Sequence, residues 1–172
     1  MINLGSPDST SIPDVKKYLD EFLMDKRVIG KSYLFRWILV KLIILNTRPR
    51  KSAKAYKKIW WKVGSPLIVL SKWLFDKVTS LLDIPVALAM RYGSISIKKG
   101  LNELNKKGVK DVLVLPLYPH YAMSSYETVV EKVKEEKETN FPNLNINIIP
   151  PFYKNPQYID ILSAKIEESI KD

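Results

Sequence analysis

Three short apolar runs punctuate the second half of the chain: Pro85–Tyr92 (PVALAMRY), Val112–Tyr118 (VLVLPLY) and Ile146–Phe152 (INIIPPF). They are almost continuously apolar and rich in β-branched residues, the pattern of parallel strands covered on both faces. Helical patterns alternate with them. Ser96–Lys107 opens on a Ser cap and stops before Gly108. Ser124–Thr139 carries Ser125 and Glu127 in its first turn and gathers Val129, Val130 and Val133 on one side. Asn155–Ile170 has Pro156 at a first-turn position and lines up Tyr158, Ile161, Leu162 and Ile166 as one stripe. Such alternation predicts right-handed crossovers and an α/β fold with a parallel sheet of about four strands flanked by helices. The remaining strand must precede Asn3-Leu4-Gly5-Ser6-Pro7, where Gly and Pro turn the chain. Only Met1 to Leu4 are left for it, so the first strand reads as clipped against a usual length of about five or six. From Pro13 to Leu82 the pattern is helical: Asp14–Met24, Tyr33–Leu45, Ala53–Trp61 and Pro66–Leu82. No repeat, low-complexity segment or linker interrupts the 172 residues, which suit one domain.

Composition sharpens this picture in two ways. There is no cysteine, which excludes disulfides, thiolate metal sites and thiol catalysis and fits a reducing cytoplasm. The net charge is +10, and it is uneven. Residues 26–62 carry only basic charges, from Lys26 and Arg27 through Arg48, Arg50 and Lys51 to Lys62, with no Asp or Glu. A solvated face normally mixes both signs, so this segment predicts an anionic partner. The start, MINLGSPDST, has neither the basic nor the apolar region of a secretory signal. Tyr33–Asn46 is strongly apolar but too short to span a bilayer, and Arg36 and Lys41 interrupt it. It suits a core helix and a membrane-surface helix equally.

Ligands in open α/β sheets bind beyond the carboxyl ends of the strands. Asn3–Pro7, Arg91–Ser94, Leu117–Ser125 and Pro151–Tyr153 occupy such positions and are expected to converge on one cleft. The third contains His120, the only histidine, flanked by Tyr118 and Tyr121. It is the one candidate acid, base or metal ligand of ordinary pKa near neutrality, although a lone histidine is as readily structural. Gly64-Ser65-Pro66 fits a helix start with Ser65 as N-cap. The basic residues just upstream favour an anion held at that helix terminus instead.

Together these landmarks resemble bacterial ferrochelatase along essentially the whole chain. They are Asn3–Pro7 (NLGSP), Phe22–Ile29 (FLMDKRVI), Arg48–Tyr56 (RPRKSAKAY), Gly64–Leu67 (GSPL), Val86–Ser94 (VALAMRYGS), Val114–Ser125 (VLPLYPHYAMSS) and Phe152–Tyr158 (FYKNPQY). Each is weak alone; their order and spacing are specific. The resemblance implies a three-layer Rossmann-like (chelatase-like) domain over 1–172, with a helical lip at about 13–62, forming the amino-terminal half of a two-half enzyme. It implies haem biosynthesis by insertion of Fe2+ into a porphyrin held between the halves. Arg48, Tyr56, Ser65 and Tyr153 fall where the family contacts the porphyrin, including its propionates. Leu4 stands where coproporphyrin-using members carry tyrosine, which points to protoporphyrin IX. His120 is the catalytic candidate of this half, at a position where relatives carry His or Gln. The family's iron-binding, proton-abstracting histidine and its glutamate belong to a second half that this sequence lacks, so no metal ligand is assigned here. Ferrous iron enters as substrate, no cofactor is required in this half, and the sequence is silent on an iron–sulfur cluster. The implied location is the cytoplasm, with peripheral contact at the inner membrane through 33–46.

The residues agree with that division of labour. A flat, apolar, di-anionic ring needs aromatic walls and a basic rim, both present. Removing two pyrrole protons and admitting a dication needs a base and ligands, for which one histidine is a poor kit. Two other readings remain: a non-catalytic porphyrin- or haem-binding module, and a short chelatase completed by homodimerisation. The second normally has paired histidines. No nucleic-acid motif accompanies the basic segment, so no nucleic-acid partner is expected.

Overall fold

The computed structural model describes residues 1–170; the expected domain runs to 172, and 171 and 172 lie outside the described residues. Four strands of four residues each form the sheet: β1 (Ile2–Gly5), β2 (Ala89–Tyr92), β3 (Asp111–Val114) and β4 (Asn145–Ile148). β1 pairs with β2 and β3 with β4, both in parallel. The two pairs meet at Ile2, whose N–H donates to the Leu115 carbonyl at 2.9 Å and whose carbonyl accepts from the Leu117 N–H at 2.8 Å. Spatial order is therefore β2-β1-β3-β4. The chain leaves β1 toward one side and crosses back to the other, so the topological switch point lies between β1 and β3.

The strands are shorter than the apolar runs that contain them. Pro116 has no N–H to give, so β3 continues past Val114 only as the single bridge to Ile2. Pro150 and Pro151 likewise follow the end of β4. The expected clipping of β1 does not distinguish it, since all four strands have the same length.

Helices α6 (Ile97–Lys106) and α7 (Thr128–Asn140) cover one face of the sheet. Ile97, Leu101, Val129 and Val133 pack there on Ile2, Ala89, Val112 and Val114, all buried. Ser96 caps α6 as expected, accepting from the Lys99 N–H at 3.3 Å. On the other face lie α1 (Ile12–Leu23) and α5 (Pro66–Leu81). Asn3 Nδ2 donates to Ser71 Oγ at 3.0 Å and pins α5 to β1. That second layer stops short: Leu113 of β3, on the same face, is 66% exposed. α8 (Pro156–Ile170) has no buried residue, so its expected apolar stripe of Tyr158, Ile161, Leu162 and Ile166 meets no core.

The lip departs from the expected single helix Tyr33–Leu45. It is α2 (Tyr33–Trp37), a π-helical stretch Ile38–Ile44, and the short α3 (Leu45–Thr47). Carbonyls of the wide turns accept from side chains, Leu42 from Asn46 Nδ2 at 2.8 Å and Ile43 from Thr47 Oγ1 at 2.8 Å. A helix was expected from Ala53; α4 (Pro49–Ile59) begins earlier, with Pro49 at its first position.

Candidate functional site

The carboxyl ends of β1 and β2 nearly touch. Gly5 has φ 104°, and a Cβ there would sit 2.0 Å from the Tyr92 carbonyl oxygen. Gly93 has φ 97° and faces the Ser6 carbonyl in the same way, so the two loops leave side by side as glycine-only turns. Beyond them opens a cavity of about 250 Å³, walled by Ser6, Pro7, Met90, Tyr92, Ser94 and Ile95 from the strand ends and by Trp60, Gly64, Ser65, Ile68 and Lys72 from the lip and α5.

Its polar groups are poised for an acceptor-rich guest. Ser6 is 7% exposed and its Oγ has no hydrogen-bond partner. Ser65 precedes α5 as expected, yet its side chain caps nothing, so the N-terminal N–H groups of a sixteen-residue helix lack the usual hydroxyl. Lys72, two turns on, borders the same space and forms no ion pair among the described residues. Asp8 also borders it and lies 3.8 Å from Lys17. A buried hydroxyl without a partner costs stability unless a ligand or water completes it. A carboxylate would satisfy Ser6, the helix terminus and Lys72 together.

A larger cavity of about 400 Å³ runs along β3, lined by Met1, Val78, Leu82, Leu101, Val112 and Leu113 among others. Among the described residues Asp111 is its only ionisable side chain. It offers burial without convergent polar groups.

Of the individually assigned site residues, Ser65 alone lines the smaller cavity, while the expected segments Asn3–Pro7 and Arg91–Ser94 supply Ser6, Pro7, Tyr92 and Ser94. Tyr56 borders it indirectly, edge-on to Trp60 at 6.1 Å and to Tyr18 at 6.5 Å between ring centroids. Arg48 is exposed at the start of α4, two turns before Tyr56. His120 is exposed and stacks on Tyr153, centroids 5.5 Å apart and planes 19° from parallel. The Tyr153 N–H donates to the Pro119 carbonyl at 2.9 Å, which locks the β3 and β4 exit loops together. The four expected loops thus converge in two pairs, not in one closed cleft: β1 with β2 around the cavity, β3 with β4 around the His120–Tyr153 stack. Leu4 closes β1 beside the first pair.

The floor between them is phenolic. Tyr18 donates to the Gly5 carbonyl at 3.2 Å, Tyr92 donates to Asp25 at 3.1 Å, and the buried Tyr118 hydroxyl has no partner. Burial pushes all three phenols upward, so they stay neutral donors across the physiological range. Trp60 and Lys72 escape sequence reasoning as site residues, whereas Ser6 belongs to the Asn3–Pro7 segment expected at the cleft. Lys72 carries the one usable signal, since seven residues after Ser65 is two helical turns and the same face. Among the described residues no group of three His, Cys, Asp or Glu side chains could hold a metal ion, and no helix is long and apolar enough to cross a membrane.

Comparison with known proteins identifies the family. The ferrochelatase family model matches residues 1–172. A ferrochelatase of Opitutus terrae is 50% identical over 167 residues, 95% of this chain and 48% of that protein. Those of Azotobacter vinelandii and Coxiella burnetii are 46% and 41% identical over 164 and 174 residues, again 48% of their lengths. The chain spans about half the length of the curated relatives it matches. It belongs to the ferrochelatase family.

Proposed function

We propose that this chain is the porphyrin-holding half of a ferrochelatase acting in haem biosynthesis, with protoporphyrin IX and Fe2+ as substrates. The observation that carries the reading is the incomplete cavity: a partnerless buried Ser6 hydroxyl, an uncapped α5 terminus and Lys72 facing one space beside aromatic walls. A propionate suits that space, and the tetrapyrrole face suits Trp60 and Tyr56 next to it. Arg48 answers the second propionate from the rim. Leu4, apolar and without a donor, favours protoporphyrin IX over a porphyrin held through a tyrosine.

His120 and Tyr153 form the opposite margin. An exposed histidine stacked on a phenol offers a single imidazole, and one such group cannot take both pyrrole protons and also bind the iron. The part of its relatives' length that this chain does not span would supply the opposing wall. The lip supports a further proposal: Tyr33, Leu34, Phe35, Ile38, Leu42 and Ile43 are large, apolar and exposed within the all-basic segment, as suits a cytoplasmic protein resting on an anionic inner-membrane surface through 33–46.

Titration of protoporphyrin IX into the purified chain, followed at the Soret band with circular dichroism as a folding control, tests the reading. Ferrous iron is then added anaerobically. The expected result is a shifted, saturating Soret band and no metalation. Metalation by the chain alone would favour the homodimeric chelatase. A folded chain that leaves the band unmoved would contradict the proposal.

A further inference from the structure

Asp25 lies just past the end of α1, against Tyr92 of the cavity wall, and its side chain is only 7% exposed. One carboxylate oxygen pairs with the Arg91 guanidinium at the end of β2 and also accepts from the Tyr92 hydroxyl at 3.1 Å. The other accepts from the Arg27 N–H at 2.8 Å, an Asx turn that starts the lip. The Asp25 carbonyl accepts from the N–H groups of Val28 and Ile29, both at 3.1 Å, and tightens the same turn. Arg91 is held from a second side: its Nε donates to the Thr128 carbonyl at 2.9 Å, and its guanidinium lies 4.2 Å over the Tyr92 ring. The same turn sends out a second brace. Arg27 reaches Glu127 at 3.3 Å and Glu131 at 2.8 Å, and Glu127 in turn accepts from Tyr121, the neighbour of His120.

A core-facing ion pair of this kind contributes little net stability, because both charges lose their hydration. What it does is fix geometry: with the Arg27 brace to Glu127 and Glu131 it joins the turn after α1 to β2 and α7. We infer that Asp25 is a positioning residue: with Arg91 it sets the angle between the lip, which carries Arg48 and Tyr56, and the β3–β4 margin, which carries His120 and Tyr153. The inference deepens the proposed porphyrin site and rests on that reading for its functional consequence. The orientation of the lip itself is measurable without any ring.

The chain has no native cysteine, so Lys54→Cys on α4 and Glu138→Cys on α7 accept spin labels cleanly. Dipolar distance measurement should give one narrow distribution in the native background. Asp25→Asn should broaden it and weaken protoporphyrin IX binding by about tenfold, the cost of ordering a few freed side chains again. Asp25→Glu should restore both in part. Loss through positioning also weakens the dimethyl ester of protoporphyrin by the same factor, whereas Arg48→Ala affects only the free acid. Because Asp25→Asn strands a buried Arg91, the double variant Asp25→Asn/Arg91→Met decides: with both charges gone it should fold, keep the broadened distribution and bind as weakly as the single variant. A narrow, native distribution in the folded double variant overturns the inference. So does a double variant that loses its circular dichroism, for the pair would then hold the fold and not the lip. If the native chain binds no porphyrin, the proposed function fails while the distance distributions still decide this inference.

Discussion

The two halves of this molecule's apolar surface have opposite fates. Under α6 and α7, Val129, Val133, Val114 and Leu144 are buried to 3% exposure or less. On the lip and α8, residues of equal hydrophobicity stand in solvent: Leu34 is 67% exposed, Ile43 53% and Ile161 65%. Hydrophobic pattern alone therefore does not say what a residue is for. The buried set is redundant in chemistry and strict in volume, which is the mark of a core. The exposed set is mixed with aromatics and Lys or Arg and rests on no core, which is the mark of a surface available to a partner.

Substitutions can break or sharpen that contrast. The largest effect belongs to Gly5→Ala, where the new methyl would have to displace the Tyr92 backbone at a positive φ. Destabilisation above about 4 kcal/mol is expected in denaturant melts, at the exceptional end for a single substitution. Leu144→Ala, at 1% exposure, should cost about 2–5 kcal/mol in the same assay. Arg48→Ala should leave the melt unchanged and raise the dissociation constant for protoporphyrin IX about tenfold, the value of one charge-assisted hydrogen bond. An unaltered constant would remove Arg48 from the site. Ser6→Ala separates site from core most finely: it removes a partnerless buried hydroxyl, so the ligand-free melt should hold or rise while porphyrin affinity falls. Smallest is Leu42→Ser on the lip, within about 0.5 kcal/mol in stability, with a loss of binding to anionic lipid vesicles as the readout.

Much of this was legible in the sequence because its cause is local. The apolar runs marked all three later strands, and Ser96 marked the start of α6. Gly5 and Pro7 marked the exit from β1. What was not legible depended on contacts distant along the chain. The π-helical stretch Ile38–Ile44 keeps an ordinary helical pattern, and only Asn46 and Thr47 reaching back to its carbonyls set its width apart. Ser65 fitted both a cap and, with the basic residues upstream, an anion site; only the fold shows that its side chain caps nothing and that it lines the cavity. α8 has the stripe of a packed helix and no surface beneath it. Asp25 and Arg91 are separated by 66 residues, so neither predicts the other. Cavity-lining positions were legible where a motif named the segment, as for Ser65 and Ser6, and not where a wall is assembled from several elements, as with Trp60 and Lys72.

Hydrogen exchange of the folded chain with and without protoporphyrin IX tests the central claim most directly. New protection confined to 4–8, 56–68 and 92–95, with α6 and α7 unchanged, is the predicted result. Protection appearing instead around Val78, Leu82 and Leu113, or nowhere, would contradict the proposal that the cavity at the carboxyl ends of β1 and β2 receives the porphyrin.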